Sequence, residues 1–82
     1  MLSRKQWFEC AKKGNTDLLL EGAEVFAGML DDHGRTALAL AALAGKEKAV
    51  RFLAPLEFLV APNITLQCAL QGGNEGVIMY LR

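Results

Sequence analysis

One histidine, two cysteines and an adjacent pair of aspartates are the residues of this 82-residue chain best suited to chemistry. His33 could serve as a general base, with Cys10 or Cys68 as the nucleophile it activates. That reading needs a thiol beside the imidazole and a third group to orient the ring. No such third group is evident in the sequence. Asp31 and Asp32 resemble a paired carboxylate, but neighbouring residues point different ways. Asp31 also has a simpler task, accepting backbone N–H bonds in a turn that contains Gly34. A zinc site wants three or four ligands at closed spacing, and neither cysteine belongs to a CxxC. The two thiols read as buried and free, with a disulfide or a metal pair as the alternative. Gly45-Lys46 lacks the upstream glycine loop of a phosphate cradle, and no G-x-G-x-x-G or H-E-x-x-H pattern occurs. These residues point away from an enzyme and imply no cofactor.

The framework around these residues reads as helical. Ser3 can cap a first helix whose Trp7, Cys10 and Ala11 share one face, with Gly14-Asn15 as its stop. Thr16 is a candidate cap for the next helix, which begins with Leu18 to Leu20. "AEVFAGML" is ambiguous between a ragged helix and an extended loop. Residues 31–35 form a turn, and Thr36 can cap a short helix over 37–44 that ends at Gly45. A helix from about Glu47 to Leu53 buries Ala49, Val50 and Leu53, with Glu47 and Arg51 paired on its solvated side. Pro55 should stop that helix near Leu53 or Ala54. "LEFLVA" is the best strand candidate, though it has no partner strand. Pro62-Asn63 reads as a turn, and short helices follow over 66–71 and 75–81. Length allows one domain, residues 1–82. With 52% apolar and 22% charged residues the chain should fold rather than stay disordered.

Three glycine turns, Gly14-Asn15, Gly45-Lys46 and Gly73-Asn74, suggest a period near 30 residues, with copies at about 3–30, 31–54 and 60–82. Past the second and third glycines, Glu47, Val50 and Leu53 align with Glu75, Ile78 and Leu81. The central copy, Asp31-x-x-Gly34-x-Thr36-Ala37-Leu38 with Ala41-Ala42-x-x-Gly45 and Val50-x-x-Leu53, resembles the ankyrin repeat. It carries Ala37 and Ala39 where that family usually has Pro and His. In the last copy Pro62 and Ile64 replace the turn glycine and threonine. The resemblance implies an all-α, ankyrin-like helical repeat solenoid of about three helix-turn-helix units.

It also implies a protein-protein interaction module that binds through its turn tips and inner helix face. Those places are Asp32, His33, Arg35, Leu40 and Leu43, with Glu9, Lys12 and Lys13 in the first copy and Asn63 and Gln71 in the last. Exposed Leu40 and Leu43 would form the desolvated centre, unless they pack on a neighbouring copy. An alternative is a fragment of a longer scaffold that self-associates, or is covered by a partner, at the Tyr80-Leu81 end. A further option is that Tyr80 and Arg82 cover that end themselves. Nine basic residues balance nine acidic ones, so nothing favours nucleic acid. The opening "MLSRKQWFE" turns polar before a signal-peptide core could form, and residues 37–45 are too short to cross a membrane. A cytoplasmic location is the expectation.

Overall fold

Ser3 starts the first helix as its sequence predicts. Its hydroxyl accepts from the Gln6 N–H, and the Gln6 side chain accepts in return from the Ser3 N–H, closing a capping box. The computed structural model describes residues 2–81. Within it the chain forms six helices: α1 Arg4–Lys13, α2 Thr16–Phe26, α3 Ala37–Leu43, α4 Glu47–Glu57, α5 Pro62–Gly72 and α6 Glu75–Leu81. No strand forms among the described residues. Gly14 ends α1 in the left-handed region, φ 74°, which favours glycine. Asn15, rather than Thr16, caps α2, accepting from the Leu18 N–H. Thr36 caps α3 by accepting from the Ala39 N–H at 3.1 Å.

Two expectations about the stretch after Leu53 fail together. Pro55 lies inside α4, which runs on to Glu57. "LEFLVA" is therefore the end of a helix followed by a turn, not a strand. Proline removes one backbone donor from the helix, but the turn beyond it is held from outside. The buried Glu57 carboxylate accepts from the Leu38 N–H at 2.9 Å and the Gly28 N–H at 2.8 Å. Pro62 likewise opens α5 instead of preceding it, because the first helical position needs no N–H partner.

The helix α3 is the centre of the molecule. It packs against α1, α4 and α5, while α2 reaches α4, and α6 reaches α4 and α5. Ala37 through Ala42 are all buried. Four alanines in seven residues let three neighbours approach one short helix. The approach is tight at Gly72 of α5, where a Cβ would lie 2.6 Å from the Leu43 carbonyl oxygen. Trp7, Leu19, Leu38, Val50, Leu53 and Val77 fill the remaining core, and Trp7 stacks on Phe26 with ring centroids 5.9 Å apart.

This packing overturns the expected ankyrin-like solenoid. The chain is all-α, but its six helices close into a globule with a radius of gyration of 10.9 Å and extents of 33 × 22 × 18 Å. A compact globular chain of this length should have a radius of about 11.7 Å, so nothing is left over for an elongated array. The physical reason lies in α3, which is enclosed on several sides rather than presenting one side to its neighbours and another to solvent. The idea that Arg82 helps to cover the end of the chain falls outside the described residues.

Candidate functional site

The turn at 31–35 is built as its sequence suggests. One carboxylate oxygen of Asp31 accepts from the His33 and Arg35 N–H groups, each at 2.9 Å, and the Asp31 carbonyl accepts from the Gly34 N–H. Arg4 of α1 clasps the same loop. Its guanidinium donates to the Leu30 carbonyl, lies 3.6 Å from Asp32 and sits 5.4 Å from the centre of the Phe8 ring.

Two shallow grooves flank His33. One, about 410 Å³, runs against α1 and is lined by Glu9, Lys12 and Asp32 among others. The second, about 460 Å³, runs against α5 and takes in Arg35, Cys68 and Gln71. The structure thus gathers Glu9, Lys12, Asp32, His33, Arg35 and Gln71 around one turn. It does not bring the other candidates there. Lys13 lines a separate groove with Cys10 and Leu18. Asn63 is exposed at the start of α5 and lines none of these grooves.

The leucines decide the matter against the expected binding mode. Leu40 is only 3% exposed and belongs to the core, and Leu43 is half-buried. With Leu40 turned inward and Leu43 half-buried, the expected pair of exposed leucines is not there to form a desolvated centre. The expected recognition through turn tips and an inner helix face is therefore not supported by this packing.

Nor do the reactive residues form a nucleophilic pair. Cys10 and Cys68 are both free and buried. Burial pushes both thiols above their usual range. Lys13 opposes this in part for Cys10, and Arg35 does so for Cys68. A nucleophilic cysteine needs the opposite shift. His33 is exposed, and no hydrogen bond joins it to Cys68 among the described residues. No group of three His, Cys, Asp or Glu side chains among the described residues could hold a metal. No helix there is long and apolar enough to cross a membrane.

Two features escaped the sequence reading. Glu57 is the first, a fully buried carboxylate that joins α4 to the loop before α3 and to the α3 N-terminus. Burial pushes its carboxyl above the usual range, against the two N–H bonds that pull it down. The signal was available, because Glu57 is the single charge between Pro55 and Pro62.

The second feature is the distribution of exposed apolar side chains. None of the large ones lies on α1 or α3. They belong to α2 (Leu20, Val25), to the ends of α4 and α6 (Leu56, Met79, Tyr80), to the loop residues Met29, Leu30 and Leu59, and to Leu70 of α5. A groove lined by Ala54, Pro55, Phe58, Tyr80 and Leu81 lies between the α4 and α6 ends, and the Arg51 guanidinium sits 5.3 Å from the centre of the Tyr80 ring.

No protein-family model, curated protein or solved structure matches this chain. The resemblance to ankyrin repeats over residues 31–53 therefore has neither a family match nor the compact packing around α3 on its side, and what the chain shows is a small all-α globular domain.

Proposed function

We propose that this chain is a non-catalytic helical assembly domain that pairs with a second copy of itself through the α4–α6 end. One observation carries the proposal: the groove between Pro55, Phe58, Tyr80 and Leu81 has no charged lining residue and adjoins very exposed leucine and methionine side chains in sequence. Leu59 is 90% exposed, Met79 74% and Leu56 47%. Exposed large apolar side chains beside an apolar groove mark interaction surfaces in soluble proteins.

A second copy suits this surface for two physical reasons. A two-fold interface places each patch against itself, which the apolar lining of this groove tolerates. The formal net charge is zero, so approaching copies meet no net repulsion. The balanced charge also speaks for a protein partner over a nucleic acid. The domain's surface measures 4944 Å², and a stable interface takes about 800 Å² from each partner, roughly one sixth of it. Two free buried thiols suit a reducing, cytoplasmic setting.

Sedimentation equilibrium across a concentration series tests the proposal. The wild-type chain should pass from monomer to dimer, and a Leu59→Asp, Met79→Asp double variant should stay monomeric with an unchanged circular dichroism spectrum. A wild-type chain that stays monomeric up to about millimolar concentration, the weak end of measurable association, refutes the assembly reading.

A further inference from the structure

The helix α2 has two contrasting sides. Leu19 and Gly22 are buried, with Ala23 and Phe26 packed half-buried beside them. Asp17, Leu20, Glu21, Glu24 and Val25 are all exposed. Those five recur at three- and four-residue intervals and so form one continuous stripe. Leu20 is 66% and Val25 56% exposed.

The charge on this stripe is of one sign. Helix α2 contains no Lys, Arg or His. The ion pairs among the described residues are Arg4–Asp32, Lys12–Glu9 and Arg51–Glu47, so Asp17, Glu21 and Glu24 take part in none. A solvated helix face ordinarily gains from acid-base pairs four residues apart, whereas Asp17 and Glu21 stand four apart with like charge. Glu24 occupies the last turn, where the helix dipole disfavours an acid, and no basic residue balances it there. The stripe thus departs from what would stabilise the helix in isolation, and each departure is one that a cationic neighbour would relieve.

We propose that this stripe docks a basic amphipathic helix of another protein, one that carries Lys or Arg and large apolar residues at matching three- and four-residue spacing. The cations meet Asp17, Glu21 and Glu24, while the apolar residues cover Leu20 and Val25. Charge complementarity selects the sign of the partner, and the two apolar side chains require amphipathicity rather than charge alone. The chain's own cationic helix does not fit the role in a second copy. Helix α1 bears Arg4, Lys5, Lys12 and Lys13, but it exposes no large apolar side chain, and Arg4 and Lys12 already hold Asp32 and Glu9. This docking face is independent of the proposed self-pairing, since no α2 residue lines the α4–α6 groove.

Fluorescence anisotropy with a labelled synthetic Leu-Lys peptide of amphipathic helical pattern tests it. A peptide of the same composition with the pattern scrambled is the control. The wild-type chain should bind the patterned peptide at least about tenfold more tightly than the scrambled one, and more weakly as salt is raised. Glu21→Lys with Glu24→Lys, and separately Leu20→Ser with Val25→Ser, should each weaken binding about tenfold or more. All four positions are exposed, and circular dichroism checks that the variants remain folded. Equal binding of both peptides, equal binding by either double variant, or no binding at about millimolar peptide overturns the proposal. So does light scattering of the chain alone in which Glu21→Lys with Glu24→Lys abolishes self-association, since a second copy would then occupy the stripe.

Discussion

Replacing Glu57 tests whether one buried carboxylate holds α3, α4 and the loop between α2 and α3 in register. It is fully buried and accepts from the N–H groups of Gly28 and Leu38 at 2.8 and 2.9 Å. In Glu57→Ala both donors lose their acceptor, at about 1–3 kcal/mol each where water cannot replace it, and a cavity adds to the loss. We expect about 3–5 kcal/mol in all, against a total stability of roughly 4–12 kcal/mol for a chain of this length. Glu57→Gln keeps one accepting oxygen and sheds a buried charge, so it should lie between wild type and alanine. The single, fully buried Trp7 supplies the fluorescence signal for a urea titration. Amide exchange at Gly28 and Leu38 should quicken in the alanine variant. An alanine variant within about 0.5 kcal/mol of wild type, or one equal to glutamine, would show that Glu57 does not hold these elements together.

Further outcomes follow from the same geometry. Burial raises the folded pKa of Glu57 above its unfolded value of about 4.3. Its contribution is then fully present below that pH and is lost as pH rises through the folded value. Wild type should therefore lose stability relative to Glu57→Gln as pH rises above about 4, in urea midpoints measured at successive pH values. Gly72→Ala should destabilise by about 1–3 kcal/mol, because its Cβ would meet the Leu43 and Ala42 carbonyls at 2.6 and 2.7 Å and push α5 from α3; thermal denaturation checks this. Ala61 holds a left-handed φ of 51° before α5, a geometry that costs a non-glycine residue about 1–2 kcal/mol. Ala61→Gly should thus be neutral to about 1 kcal/mol stabilising once the more flexible unfolded chain is counted, and a melting temperature well below wild type would contradict it. Cys10 and Cys68, buried and with raised pKa values, should react with an aromatic disulfide reagent only as the chain unfolds, so fast labelling of the native protein would contradict their placement.

Local chemistry was the part of this fold that the sequence made readable. Ser3, Gly14, Thr36, Gly45 and the Asp31 turn act through residues within four or five positions, and the structure uses them where their types suggest. The Glu47–Arg51 pair, at 3.1 Å, is of the same kind. What failed depended on contacts far along the chain. Pro55 looked like a helix stop because the acceptor that secures the turn beyond it works through Gly28, 29 residues away. Leu40 looked like a surface leucine because it falls outside the apolar set read from the repeat alignment.

The turn and the outer helices differ in what they expose. A sequence pattern places Asp32, His33 and Arg35 on a turn, and the structure agrees, but the exposed leucines beside that turn are Leu30 and Leu70 rather than Leu40. Away from the turn, exposed apolar side chains include Leu20 and Val25 on α2, and Leu56, Leu59 and Met79 near the α4 and α6 ends. They escape a repeat alignment because they fall between its conserved apolar places, and a helix exposes the residues between its core contacts. Burial of Leu40 and exposure of Leu20 thus have one cause. Alanine at 37, 39, 41 and 42 lets α3 be enclosed, and the longer aliphatic side chains that a small core cannot hold are left on α2, α4, α5, α6 and the loops. Both proposed contacts therefore rest on what those outer helices carry, acid on α2 and exposed apolar side chains near the α4–α6 end.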